Sequence, residues 1–291
     1  MKILDMHIHA AGTEPKPEAL LAKMEAAGVQ GGCIFSCCPY EFQDVDYESI
    51  SFEERIAELQ GWTDGYRDRL FPVLWIHPYE KDIEKNIYKA IDQGVMAFKI
   101  ICNNFYVYED KPMRLLSAIA ETGKPVFFHS GILWDRGVSA KYNRPINWEP
   151  LMEIKKLRFS MGHCSWPWYD ECLALYGKLW YQSKVREDAS EMFFDLTPGT
   201  PPAYRRDLFT KMFSMGIDVQ HNILYGSDAF TDGYNGGGGV SGWLQRDARI
   251  FDSLGVPQGV REKIYGENLL RFLGLTTQKD NSADIWQLEI E

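Results

Sequence analysis

Hydrophobic and polar positions repeat along this chain in one order: a short apolar run, a turn, then a longer stretch with helical spacing. The runs 2–9, 29–36, 70–76, 95–101, 125–129, 157–163, 191–195 and 222–227 are rich in branched and aromatic residues and read as strands. The stretches 17–27, 49–60, 82–93, 111–122, 147–156, 168–182, 201–214 and 240–254 are amphipathic or helix-favouring. Gly28, Gly94, Gly123 and Gly216 follow four of them, as C-cap glycines do.

Eight such repeats without a break in composition predict one α/β unit over 1–275, a distorted (β/α)8 TIM barrel. Its functional site is expected at the C-terminal face of the strands. Residues 276–291 are expected to be a C-terminal tail packing on the barrel. The rival is an open doubly wound sheet, which would normally carry a glycine-rich phosphate loop after its first strand. Here that place holds His9-Ala10-Ala11-Gly12-Thr13-Glu14-Pro15. Two connections are long, 130–146 after the fifth strand and 229–239 after the eighth. On that face long loops serve as lids or binding loops.

Composition narrows the classes. Of 291 residues 45% are apolar, enough for a large core, and the formal net charge is −10. No basic run of five or more residues occurs, so a nucleic-acid partner has no electrostatic support. No apolar run reaches 18 residues, so no membrane span is expected. The N-terminus enters a strand pattern directly, which does not resemble a signal peptide, and a cytoplasmic location is expected. The six cysteines, 33, 37, 38, 102, 164 and 172, lack zinc-finger spacing and read as reduced thiols. Apolar outer helices and the segment 278–291 are compatible with a homodimer.

The chemistry concentrates in histidines. Of six, His7, His9, His77, His129 and His163 lie at or beside the C-terminal end of a predicted strand, while His221 precedes the eighth at the far face. His7 and His9 are two residues apart in a strand, so both imidazoles project from one face about 7 Å apart. The eighth run ends in Asp228. Ring closure sets strand 8 beside strand 1 and so Asp228 beside His7 and His9. Imidazoles with a carboxylate suit Zn²⁺, with Mn²⁺ as an alternative. His7, His9, His129 and Asp228 are the expected metal shell, with an open position for water. Asp228 is also placed to accept that water's proton, and His163 to act as acid, base or carbonyl polariser.

Asp5-x-His7-x-His9, His129, Gly162-His163, Gly226-Ser227-Asp228 and the closing Gly266-Glu267-Asn268-Leu269-Leu270-Arg271-Phe272-Leu273-Gly274-Leu275 together resemble the amidohydrolase superfamily. The nearest branch is the amidohydrolase 2 family, to which aminocarboxymuconate semialdehyde decarboxylase is related. The resemblance implies a barrel with a divalent metal, His7, His9, His129 and Asp228 as ligands, and His163 as the catalytic histidine. It spans hydrolysis and non-oxidative decarboxylation. The expected function is metal-dependent hydrolysis of a small-molecule amide, lactone or ester. The alternative is decarboxylation of an unsaturated or aromatic carboxylic acid.

Lys99, in the fourth strand, has three readings. In two-metal members of the superfamily a carboxylated lysine bridges the ions. In one-metal members a lysine here would bind a substrate carboxylate. A buried lysine can also pair with a neighbouring acid. One ion is favoured over two. Arg136 and Arg144 are candidates to clamp a carboxylate, and Trp134, Tyr142, Trp166 and Trp168 to form an aromatic wall. Asp195 and Thr197, ending strand seven, either face the site or cap a helix ahead of Pro198.

Overall fold

The computed structural model describes residues 1–11, 14–42, 48–135, 137–276 and 285–289. Strands β1 (Leu4–His9), β2 (Gly31–Phe35), β3 (Leu70–Trp75), β4 (Ala97–Ile100), β5 (Val126–Phe128), β6 (Arg158–Met161), β7 (Glu191–Asp195) and β8 (Ile223–Leu224) run parallel, each beside its neighbour in sequence. They are buried on both faces, which accounts for continuous apolar runs where a half-exposed sheet would alternate.

The eighth strand departs from the expected 222–227. Only Ile223–Leu224 pair with β7, and a further strand, β9 (Ala229–Phe230), pairs with β1. Between them the Met6 N–H donates to the Tyr225 carbonyl and the Asp228 N–H to the His7 carbonyl, each at 3.0 Å. The ring therefore closes through a broken strand. The chain is tightly packed and kinked at the break. A Cβ at Gly226 would lie 2.6 Å from the Thr197 methyl, and Asp228 takes a left-handed φ of 58°. The result is a TIM-type barrel with an irregular seam beside β1.

Helices α1 (Pro17–Ala26), α2 (Phe52–Thr63), α3 (Ile83–Asp92), α4 (Asp110–Glu121), α6 (Tyr169–Ser183), α7 (Pro202–Phe213) and α8 (Gly239–Leu254) follow strands as expected, with a short α5 (Ser139–Tyr142) inside the long connection after β5. Ser51 opens α2 with a capping box: its hydroxyl accepts from the Glu54 N–H, and the Glu54 carboxylate accepts from the Ser51 N–H. The helix expected over 147–156 is instead a 3-10 stretch, Pro145–Glu153. Pro150 inside it has no N–H to give an α-helical ladder.

The C-terminal part adds α9 (Gln258–Glu262) and α10 (Asn268–Phe272), joined by a π-turn, which the periodicity did not disclose. Helix α10 stoppers the amino end of the barrel. Phe272 packs at 4.9 Å from the Phe127 ring and 4.8 Å from Phe193, alongside Leu269 and Leu273. Farther on, the Leu288 N–H donates to the Phe213 carbonyl, and the Trp286 ring lies 5.2 Å from that of Phe213. All six cysteines are free. Among the described residues no helix is long and apolar enough to cross a membrane.

Candidate active site

The open end of the barrel holds a cavity of about 140 Å³ lined by His7, His9, Lys99, His129, His163 and Asp228. These come from β1, β4, the turns after β5 and β6, and the seam. The strand period of two sends His7 and His9 to the same side. Their Nε2 atoms lie 3.1 Å apart. Asp228 Oδ1 is 3.1 Å from His9 Nε2 and 3.3 Å from His7 Nε2. Among the described residues this trio has ligand atoms all within 4.8 Å of one another.

The donor set fits a divalent ion. Zinc bonds of about 2.0–2.2 Å at tetrahedral angles put neighbouring ligands about 3.3 Å apart, close to the triangle's sides. His129 lies outside the trio, but its buried Nε2 has no hydrogen-bond partner among the described residues, and its ring lines the same cavity. An orphaned buried imidazole nitrogen suits a further ligand. Metal ligation needs neutral imidazoles, and the environment supplies them. Burial, then the Lys99 charge, pushes His7 down to about 3. Burial, with His163 and Lys99 adding, holds His129 well below its usual value. Burial alone would raise Asp228, but contacts with His7 and His9 outweigh it and keep the carboxylate ionised.

A second layer orients these groups. His7 Nδ1 is 3.1 Å from Asp195 Oδ2, and both side chains are buried. Burial would raise Asp195 too, yet the contacts with His7, His163 and Thr197 keep it below the ordinary carboxylate range. An ionised carboxylate can only accept, so Nδ1 of His7 carries the proton and Nε2 presents its lone pair to the triangle. Asp195 Oδ1 accepts from the Thr197 N–H at 2.7 Å, and Thr197 Oγ1 lies 2.8 Å from His163 Nδ1. Helix α7 is capped at Pro201, with no side-chain cap, so Asp195 and Thr197 serve the site and not the helix. Asp5, beneath, accepts from the His7 and Ser227 N–H groups and from the Tyr234 hydroxyl, tying β1 to the seam.

Lys99 Nζ is 3.4 Å from His7 Nε2 and 5.1 Å above the Phe35 ring. Burial brings it down to about 8, with Asp195 and Asp228 pulling the other way. Trp134 lines the mouth and is 82% exposed. Tyr142 and Arg144 stand elsewhere. Arg144 pairs with Glu171 and covers the Trp168 ring, and Tyr142 packs on Tyr106. Trp166 faces Tyr204. Arg136 lies outside the described residues. His77 meets Asn104 at 3.1 Å, and His221 meets Asp218 at the barrel's far end.

Gly199 is a site residue the sequence reading missed. It lies so close to the His163 ring that a Cβ there would stand 2.3 Å from the histidine's Cβ. The one local signal is its place in Thr197-Pro198-Gly199-Thr200, just past a strand end.

Comparison with known proteins agrees with this architecture. The family model described as Amidohydrolase matches residues 5–275. A comparison with curated proteins finds no match. Among solved structures, the chain is similar to a probable 2-pyrone-4,6-dicarboxylic acid hydrolase from Acinetobacter baumannii. The TM-score is 0.62 at 13% identity over 94% of this chain and 100% of that one. It is similar to an amidohydrolase 2 from Bifidobacterium longum subsp. infantis, with TM-score 0.57 at 13% identity over 95% and 100%. A dihydroorotase from Campylobacter jejuni gives TM-score 0.57 at 13% identity over 96% and 85%. At such identities these likenesses speak for the barrel fold.

Proposed function

Because the chain belongs to the amidohydrolase family, we propose that it is a metal-dependent hydrolase of a small-molecule amide, lactone or ester. The observation that carries this reading is the triangle of His7 Nε2, His9 Nε2 and Asp228 Oδ1 at the cavity floor. His7, His9 and Asp228 would hold one divalent ion, Zn²⁺ before Mn²⁺, with His129 beside them. When bound, the ion supplies a water of lowered pKa and polarises the substrate carbonyl.

The chain's own groups do the rest. Asp228, ionised and one-third exposed, takes the proton of the attacking water and passes it to the leaving group. His163 addresses the substrate carbonyl from the cavity wall. Lys99 meets a substrate carboxylate, since a negative charge set between an ammonium and a nearby dication relieves their repulsion. The apolar wall from Trp75, Ile101, Leu133 and Pro198 excludes water around the reacting group. The inner pocket of about 140 Å³ is close in size to the cavity of about 150 Å³ that holds benzene, so a small reacting group fits inside it and the rest of a substrate extends past the mouth.

The test is direct. Zinc- or manganese-loaded protein is incubated with lactones, N-acyl compounds and esters bearing one carboxylate, and with unsaturated and aromatic carboxylic acids. Acid or amine release with one oxygen from labelled water is expected. CO₂ release without water incorporation would replace hydrolysis by decarboxylation.

A further inference from the structure

We propose that Tyr234 is a positioning residue for the site: through Asp5 it holds the left-handed turn at Asp228 against β1, and so sets the spacing between the Asp228 carboxylate and the two histidines. The inference rests on the reading of His7, His9 and Asp228 as one site, and adds to it a residue from outside the cavity.

The broken strand leaves residues 225–228 outside the sheet. Two backbone hydrogen bonds link them to β1, from the Met6 N–H to the Tyr225 carbonyl and from the Asp228 N–H to the His7 carbonyl. Asp228 itself has a φ of 58°, uncommon for a residue other than glycine, and such a conformation persists where its surroundings fix it. A side chain supplies the rest of the hold. Asp5 Oδ1 accepts from the His7 N–H at 3.0 Å and from the Ser227 N–H at 2.9 Å, so one oxygen joins the backbone of His7 to that of the residue before Asp228. The Ser227 hydroxyl also meets Asp5, and it accepts from the Ala229 N–H at 3.2 Å, which closes the turn on the other side of Asp228.

The shared oxygen serves both amides only while the Asp5 carboxyl keeps its orientation. The terminal torsion of an aspartate is broad and roughly two-fold, so the plane needs a second anchor. Tyr234 is that anchor. Its hydroxyl donates to Asp5 Oδ2 at 2.8 Å and also meets the Ser227 hydroxyl, so three side chains form one knot. Tyr234 is 2% exposed and Asp5 is fully buried, and a hydrogen bond is stronger in such surroundings than in water.

Tyr234 belongs to the long connection after the eighth strand. Connections on this face commonly cover the mouth, but this tyrosine reaches beneath the floor. Its chain is tied on both sides: the Thr231 N–H donates to the His9 carbonyl at 2.9 Å, and Asn235 Oδ1 accepts from the Ser241 N–H at 3.0 Å. The link therefore runs from this connection through Asp5 to two corners of the triangle, His7 and Asp228.

Tyr234→Phe isolates the hydroxyl, because the ring and its packing remain. Hydrogen exchange in the metal-free protein reads the hold on the turn directly. The Ser227 and Asp228 amides should exchange at least about tenfold faster in the variant, a factor equal to about 1.4 kcal/mol and the order of one hydrogen bond. Amides of β5 and β6 should keep their wild-type rates. Zinc affinity, from competition with a chromophoric chelator, should fall by about tenfold, and the visible bands of the cobalt-loaded protein should shift. A packing role alone would move neither. Asp5→Ala should show the same changes, and adding Tyr234→Phe to it should change nothing further. If Asp5→Ala does not fold, the single variant decides. Unchanged exchange at 227 and 228, unchanged zinc affinity in Tyr234→Phe, or additive losses in the double variant would overturn the proposal. Should the wild type bind no zinc, the hydrolytic reading fails separately, and the exchange rates still decide the role of Tyr234.

Discussion

Asp195 Oδ2 sits 3.1 Å from His7 Nδ1, and each side chain is only 1% exposed. This contact decides which nitrogen of His7 faces the cavity. Asp195→Asn would keep its carbonyl on the Thr197 N–H and turn its amide toward Nδ1, which drives the proton of His7 to Nε2. Zinc affinity should fall by about 10–100-fold, as for other outer partners of a ligand. Competition with a chromophoric chelator measures it, and unchanged affinity would remove Asp195 from the site.

Asp228→Asn should leave the fold intact, because the side chain is one-third exposed and its N–H still meets the His7 carbonyl. Turnover should fall by at least about a hundredfold with loss of the proton acceptor. Steady-state kinetics at saturating metal separates this from weaker ion binding, and near-normal kcat would refute the role.

Gly199→Ala puts a Cβ into the space of the His163 side chain. The ring is braced on its other sides, so the clash should cost about 1–3 kcal/mol of stability, as overpacking does. Urea unfolding reads that loss. Turnover should fall more than the stability loss predicts, since the displaced group is His163 itself.

Asp5 gives a pH signature in the metal-free protein. Burial, only partly offset by its hydrogen bonds, raises it from 3.8 to about 6. A carboxyl that is more easily protonated when folded stabilises the fold fully below about pH 4. That contribution fades as pH rises and is gone above about pH 6. Two pKa units correspond to about 3 kcal/mol. Wild type should therefore lose that much stability relative to Asp5→Asn between pH 4 and pH 7.5. Parallel urea midpoints of the two proteins across this range would contradict the shift.

The buried pair of Arg205 with Asp247, bidentate at 2.7 and 2.6 Å, holds α7 against α8 behind the site. Asp247→Ala should cost about 3–5 kcal/mol, the loss expected when one member of a buried pair is removed. Denaturant unfolding checks this, and a loss below about 1 kcal/mol would argue against it.

Much of this was legible in the sequence because it follows from period and position. A two-residue spacing in a strand must send His7 and His9 the same way, and an eighth strand that closes on the first must bring Asp228 to them. What escaped depends on contacts between distant segments. Nothing near residue 144 announces that Glu171 captures its guanidinium. Thr197 could not be told from a helix cap until α7 was seen to start five residues later. The left-handed run from His163 to Ser165 has no glycine to advertise it. Pro150 and Gly226 were visible, but the helix and the strand they break read as continuous by hydrophobicity alone.

The Phe272 stopper has a kinetic consequence. With one end of the barrel shut, whatever enters must leave by the door it came through, past Trp134. Spent molecules and fresh ones use the same opening, and any product that stays on the site shuts out the next arrival.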